Sequence, residues 1–157
     1  MYAVLNRRDP SAVLRRFAHH EYRKLDFEAM CEGAAHLIGE HDFMTFCGVL
    51  PDRGGTVRTV EAIEIDRDGE LVRFEVRGAG FLHRMVRIIT GTLLDVGAGR
   101  TTPADVAAML AARDRRHAGT TAPPQGLVLA GVTYPNFSSA TPNFTWPPVA
   151  LPKAATR

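Results

Sequence analysis

The alternation of hydrophobic and polar residues predicts four β-strands in this chain. The predicted strands are residues 2–5, 56–65, 71–77 and 127–134. In the third, Val72, Phe74 and Val76 share one face and charged residues occupy the other, as expected of a half-buried strand. Alternation is imperfect in the second strand, which predicts a bulge or a strand sheltered on both faces. Asp68 and Gly69 supply the turn between these two strands.

Three further segments have the 3.6-residue periodicity of amphipathic helices. The predicted helices cover residues 27–38, 81–97 and 103 to about 113. Asp26 and Thr102 are the expected N-caps of the first and third. The middle helix turns an apolar stripe to the core and places His83, Arg87 and Gly91 on a different side. The order β-α-β-β-α-α-β predicts an α+β fold, an antiparallel sheet covered on one face by helices.

Length and composition fit one domain with its own core. The chain has 157 residues, of which 45% are hydrophobic and 23% charged, a balance that excludes intrinsic disorder. No run approaches the roughly 20 apolar residues of a membrane span, and the first residues lack the apolar stretch of a secretory signal. We therefore expect a cytoplasmic protein without membrane contact. Residues 1–135 form the predicted domain and residues 136–157 a proline-rich extended tail.

The small net charge of +2 conceals an uneven distribution. Residues 1–25 carry six basic and two acidic groups, residues 26–82 five and twelve, and residues 83–117 six and three. If the two basic blocks meet in space, they form a positive face able to hold phosphates. Charges scattered around a solvated surface explain the same counts equally well.

Motifs for several common chemistries are absent from the sequence. It has no glycine-rich loop for nucleoside triphosphates, no dinucleotide-binding fingerprint and no helical zinc-hydrolase motif. Two cysteines are too few for a disulfide framework or a four-ligand zinc site. The adjacent pair His19 and His20 is better explained by surface or RNA-contacting residues than by metal ligands, because neighbouring side chains diverge and no carboxylate set completes a site.

Arginines and an aspartate remain as candidates. Arg87 lies in the middle of a very apolar helix, and it is either a solvated group or a charge presented to a carboxylate. Asp42 is expected to accept local backbone N–H bonds while Phe43 and Phe46 enter the core. The end of the third helix carries a basic cluster that is either a solvated helix end or a phosphate-binding group. Its members are Arg113, Arg115 and Arg116.

Five sequence blocks, in order, resemble the TruA-type tRNA pseudouridine synthases. The blocks are GEHDF from Gly39, RTV from Arg58, GAGFLHRMVRIITGTLLDVGAGR from Gly78, ARDRRHAGTTAPPQGLVL from Ala112 and VTYP from Val132. The resemblance runs from about Tyr2 to Pro135, which is almost the whole chain apart from the tail. It implies a catalytic C-terminal half of ferredoxin-like α+β character, which in this family packs beside a similar N-terminal half and binds RNA in the cleft between them.

The resemblance also implies a chemistry and a set of site residues. Family members isomerise uridine to pseudouridine in RNA without cofactor or metal, and the target base leaves its stack. Arg87 matches the arginine of the family's M-V-R helix, the salt-bridge partner of the essential aspartate. The residues expected around the pocket are Tyr2, Phe81, His83 and Gly91. The residues expected to contact RNA are Arg15, Arg16, His19, His20, Arg84, Arg113, Arg115 and Arg116.

Two family features are missing from this sequence. The essential aspartate belongs to a G-R-T-D-x-G-V motif in the N-terminal half, and no such motif is present here. Tyr2 matches the second tyrosine of a Y-x-Y strand, so the first, which lies against the target base, is also missing. Asp114 follows Arg113 but lies in a different block and is no substitute.

Three interpretations follow. The chain is a fragment or split subunit that needs an N-terminal half to supply the aspartate, or a non-catalytic RNA-binding module, or a domain with a different small-molecule activity. The first predicts an exposed apolar edge or surface near Tyr2 and Val76. Because the family half leans on a homologous half, pairing of two copies edge to edge into a homodimer is also predicted. The expected partners are thus tRNA or another RNA, and either a second copy or a separate N-terminal half.

Overall fold

The structure, a computed structural model, describes residues 1–134 and 136–139. Most of the predicted tail lies outside these described residues. The main sheet contains β1 (Tyr2–Asn6), β2 (His19–Glu21), β3 (Gly39–Asp42), β4 (Val57–Asp68) and β5 (Leu71–Gly78). Three α-helices accompany it: α1 (Phe27–Ala35), α2 (Met85–Gly97) and α3 (Pro103–Ala112). No helix in this part of the chain is long and apolar enough to cross a membrane.

The five strands lie in the order β2-β1-β5-β4-β3. β1 is antiparallel to β5, β5 to β4, and β4 to β3, whereas β1 and β2 run parallel. The α+β class is therefore confirmed, while the expectation of a wholly antiparallel sheet is corrected to a mixed one. The two edge strands, β2 and β3, were not predicted because each is short and largely polar.

The β4–β5 hairpin shows how local sequence determines the centre of the sheet. Asp68 pairs with Leu71 across the turn, where Gly69 adopts a φ of +60°, a conformation that favours glycine. The register shifts between Val60 and Ala62, which confirms the predicted bulge.

The helices begin as predicted at two of three positions. Asp26 caps α1 by accepting a bond from the Ala29 N–H at 3.0 Å, and Thr102 forms a capping box with Asp105 at the start of α3. The middle helix was predicted to start at Phe81, but α2 starts at Met85, because Arg84 adopts a left-handed φ of 60° that helical geometry does not allow.

One face of the sheet carries the main core, which includes side chains from all three helices. Phe43, Phe46 and Phe74 are fully buried there, and Asp42 accepts the Met44 N–H at 3.1 Å, so both expectations for the segment after β3 are confirmed. A second, smaller core lies under the segment that leads to β2 and holds Ala3, Leu5, Leu14, Ala18 and Leu71.

One further expectation, for the segment after α3, is wrong. Residues 127–134 do not form a continuous strand: Leu127 makes an isolated bridge to Tyr2, and only Thr133–Tyr134 pairs, with Phe137–Ser138, as a small hairpin. Tyr2 and Val76 are themselves buried, whereas Leu127, which bridges Tyr2, is 39% exposed. The chain after α3 covers Tyr2, since Gly126 packs so closely on its ring that an added Cβ would come within 2.7 Å of the ring carbons.

Candidate functional site

Arg87 occupies the first turn of α2 and is half-buried. Its Nε–H donates to the carbonyl oxygen of Ala122 at 2.7 Å, and the Ala122 N–H donates back to the Arg87 carbonyl at 3.0 Å. The hydrogen bond from Nε to Ala122 thus fixes the position of the guanidinium. Neither terminal nitrogen, Nη1 or Nη2, bonds to any residue in the described ranges, and no carboxylate of those ranges forms an ion pair with Arg87.

Tyr2 is hydrogen-bonded to Pro123, the residue that follows Ala122 in the chain. It lies at the start of β1, fully buried, and its hydroxyl donates to the carbonyl oxygen of Pro123 at 2.6 Å. Burial raises the pKa of the Tyr2 phenol well above its usual value, and the nearby positive charge of Arg87 opposes that rise. Two consecutive carbonyls, of Ala122 and Pro123, therefore orient the two side chains that were predicted to line the site.

Residues 119–122 can pass close to α2 because Gly91 has no side chain where the two cross. A Cβ on Gly91 would overlap the carbonyl oxygen of Thr120 and lie 3.1 Å from the Ala122 nitrogen. The hydroxyl of Thr92 accepts the N–H of Gly119 at 3.0 Å. The role of Gly91 is therefore to admit the backbone that holds Arg87.

Asp95, one helical turn after Gly91 in α2, also contacts the segment 119–122. Its carboxylate accepts a backbone bond from Thr120 and bonds to Arg100. Burial raises the pKa of Asp95, and the bond from Thr120 opposes the rise. Thr92 and Asp95 were not among the predicted site residues. The signal that would have found them is a glycine, Gly91, on the Arg87 side of an otherwise apolar helix.

Phe81 and His83, also predicted around the pocket, line a different cavity. They lie before α2, in an open groove of about 450 Å³ formed with the loop that follows Phe46. The predicted pocket is therefore divided into an Arg87–Tyr2 site and a neighbouring groove. Both lie at the end of the sheet where β1 begins, β5 ends and the chain enters α2.

The residues expected to contact RNA do not form one cluster. Arg15 and Arg16 are exposed on a short 3-10 helix, and His19 and His20 lie in β2 at one edge of the sheet. His20 Nε2 is 2.9 Å from the Arg7 carbonyl oxygen, and burial lowers the pKa of His19, which the charge of Glu21 opposes.

The second basic block lies elsewhere. Arg113 pairs with Asp42 of β3 at 3.2 Å, at the opposite edge and roughly 19 Å from β2 at four strand spacings. Arg115 donates to the Thr121 hydroxyl at 3.0 Å, so it supports the segment that holds Arg87. Arg116 is exposed and paired with Asp114, and this pairing lowers the pKa of Asp114 to about 2. The predicted RNA-contacting residues of the two blocks therefore lie at opposite edges of the sheet, whereas Arg23 and Arg100, from the same two blocks, are both close to Asp95.

The described ranges contain no group of three or more histidine, cysteine or acidic side chains that could hold a metal ion. The arrangement offers instead a fixed guanidinium with two free donors beside a buried phenol. Such a fork suits a carboxylate or phosphate that arrives from outside this part of the chain.

Within the described residues, this α+β domain holds a partly buried arginine without a carboxylate partner. Residues 34–135 match the family model described as "tRNA pseudouridine synthase". The chain is similar to the tRNA pseudouridine synthases A of Caulobacter vibrioides, with 46% identity over 134 residues, and of Acetivibrio thermocellus, with 41% over 133. In both comparisons the match covers 85% of this chain and 54% of the relative. Similarity to the protein of Bacillus subtilis is 42% over 135 residues, or 86% of this chain and 55% of the relative.

The chain therefore belongs to the tRNA pseudouridine synthase family. It spans about half the length of the curated relatives it matches. The resemblance inferred from the five sequence blocks is confirmed by these matches.

Proposed function

We propose that this chain supplies the arginine side of a pseudouridine synthase site that acts on uridine in tRNA, together with an N-terminal half that carries the catalytic aspartate. The observation that carries the proposal is the state of Arg87: half-buried, fixed through Nε to Ala122, and without an ion-pair partner in the described ranges. A charge withdrawn from water is costly unless it is paired, so the site is suited to receive a carboxylate.

The free fork of Arg87 explains what this half would contribute to the reaction. Two N–H donors in one plane orient a carboxylate and keep it ionised, because a neighbouring positive charge lowers the pKa of an acid. An ionised, oriented aspartate is the form that attacks as a nucleophile. The isomerisation breaks the bond from the sugar to N1 of uracil and forms a bond to C5. C5 loses a proton and N1 gains one, so the balance requires no cofactor.

The two edge strands favour a separate N-terminal half over a second copy as the partner. β2 and β3 have three and four residues, and both contain histidine and acidic side chains, which weaken pairing between identical edges. The homodimer stays a prediction that light scattering tests. We also propose a cytoplasmic location, because that is where the proposed substrate is found.

Release of tritium from 5-tritiated uridine in tRNA tests the function. The chain is assayed alone and with the separately expressed N-terminal half of the Caulobacter vibrioides relative. We expect release only in the mixture, a loss of at least 100-fold with Arg87→Ala, since a lost charge-assisted contact in a transition state costs about 3 kcal/mol, and little change with Arg77→Ala on the exposed sheet face.

Each alternative has its own outcome in this assay. Release by the chain alone would reveal a nucleophile within it and contradict the split site. No release from a mixture that forms a complex would favour the non-catalytic RNA-binding module instead.

A further inference from the structure

The groove beside the start of α2 has an apolar wall open to solvent. Val49 is 63% exposed, Leu50 56% and Phe81 39%, although all three are large hydrophobic residues. They face one cavity of about 450 Å³ rather than being scattered singly over the surface. A concentrated apolar surface of this kind marks a binding site more often than chance exposure does.

The same groove also carries polar side chains, including two arginines at or beside its lining. Arg58 and His83 line it, with Asp52 as the acidic group, and Arg84 adjoins it. Arg58 uses Nη1 for the backbone carbonyls of its own loop, at 2.6 and 3.3 Å. Within residues 1–134 and 136–139, neither Arg58 nor Arg84 forms an ion pair. The groove therefore combines an exposed aromatic ring with cations that are free to bind an anion.

The backbone around the groove is built for close approach. The Gly48 N–H donates to the His83 carbonyl at 2.8 Å, and a Cβ on Gly48 would lie 2.9 Å from His83 Nδ1 and 3.2 Å from Arg84 Cδ. Arg84 holds a left-handed φ of 60°, which costs a non-glycine residue on the order of 1 kcal/mol. Backbone strain that persists beside a cavity is typical of functional sites.

We propose that this groove binds one unpaired nucleotide of the RNA substrate, with its base against Phe81 and its phosphate near Arg58 and Arg84. Aromatic rings that stack on bases, interleaved with cations that contact the backbone, are how proteins hold single-stranded RNA. A purely apolar partner would leave the cations unused, and an acidic peptide would not need the aromatic wall. This inference rests on the proposed function only in that the chain binds RNA.

The position of the groove indicates which nucleotide it takes. The groove and the Arg87–Tyr2 site lie at the same end of the sheet, and Arg84 and Arg87 are separated by less than one helical turn. A base that has left its stack at Arg87 has flanking nucleotides that are also partly unstacked. The groove therefore takes a nucleotide flanking the target uridine and helps to keep the loop open.

Fluorescence anisotropy with a labelled ten-nucleotide oligouridine tests the proposal on the chain itself. Phe81→Leu removes the ring and keeps an apolar side chain, and we expect it to weaken binding about tenfold, the size of one lost base stack. Phe81→Trp should preserve binding. The matched control is Phe137→Leu, which alters a more accessible aromatic side chain outside the groove, 62% exposed, and should change the dissociation constant less than twofold.

A second pair of variants tests the phosphate contact. Arg58→Gln should weaken binding several-fold and flatten its dependence on salt, because one fewer phosphate is neutralised. Arg67→Gln, on the exposed part of β4, should leave the slope unchanged. Equal behaviour of groove and control variants would overturn the proposal. The proposal would also be overturned if the N-terminal half covered the groove and the RNA did not contact it.

These outcomes are separable from those of the tritium assay. Phe81-dependent RNA binding without tritium release in the mixture would support the groove and contradict the proposed function. An active mixture in which Phe81→Leu binds RNA as tightly as the unaltered chain would support the function and contradict the groove.

Discussion

Replacing Tyr2 by phenylalanine removes the hydroxyl that joins β1 to the segment behind it. The ring stays buried, so the change isolates one hydrogen bond, from Tyr2 Oη to the Pro123 carbonyl at 2.6 Å. A hydrogen bond between neutral groups contributes about 1 kcal/mol, and a buried acceptor left without a donor costs about 1–3 kcal/mol. Pro123 is only half-buried, so water can reach its carbonyl, and we expect a loss of about 1 kcal/mol.

Urea unfolding monitored by circular dichroism measures this loss. With a slope of about 2 kcal/mol per molar urea, the midpoint of the Tyr2→Phe variant should fall by about 0.5 M at an unchanged slope. Tyr22→Phe is the matched control, because that ring is 67% exposed and its hydroxyl bonds to no described residue. Identical midpoints for the two variants would refute the claim that Tyr2 is fastened to Pro123.

Alkaline titration tests the burial of the same phenol. The chain has three tyrosines, of which Tyr22 and Tyr134 are exposed. Because burial raises the pKa of folded Tyr2 above its unfolded value of about 10, its contribution to stability is complete below pH 10 and is lost as the pH rises through the folded pKa. Absorbance at alkaline pH should therefore show a late-ionising phenol that Tyr2→Phe removes. A titration curve whose late part is unchanged by Tyr2→Phe would contradict the buried position.

Two further changes test the pH dependence and the crossing of α2. Burial raises the pKa of Glu21, but the bonds from Arg23 outweigh this and lower it overall, so its stabilisation is present above about pH 4.5 and lost as the pH falls. Glu21→Gln should flatten the free energy of unfolding between pH 6 and 3, and parallel curves would exclude this role. Gly91→Ala should lower the urea midpoint, although alanine normally favours a helix by about 1 kcal/mol, because its methyl meets the Thr120 carbonyl. Gly80→Ala, with open space around it, should not. A midpoint raised by Gly91→Ala would mean that the segment lies farther from α2.

Local signals predicted most of the fold. The alternation around Phe74, the turn at Gly69 and the caps at Asp26 and Thr102 are properties of a few neighbouring residues, and the structure has all of them. β2 and β3 escaped prediction because edge strands of three or four residues with polar side chains have no alternation to detect.

The site was predicted less completely than the fold. Arg87 stood out because an arginine interrupts an apolar helix, and the family resemblance favoured a functional role over a solvated one. The carbonyls of Ala122 and Pro123 that orient Arg87 and Tyr2 could not be foreseen, since a backbone acceptor leaves no mark on residue type. The early start predicted for α2 failed for a related reason: apolar periodicity continues through Phe81 and Leu82, whereas the left-handed turn at Arg84 is a backbone property.

A double-mutant cycle across the two halves tests the central claim, which is that Arg87 forms an ion pair with the catalytic aspartate of the N-terminal half. Calorimetry would measure binding of this chain to the N-terminal half of the Caulobacter vibrioides relative, with Arg87→Ala, with asparagine in place of the catalytic aspartate, and with both changes. A close charge pair predicts a coupling energy of at least about 1.5 kcal/mol. Additive effects, within about 0.5 kcal/mol, would show that Arg87 does not meet that aspartate and would contradict the account.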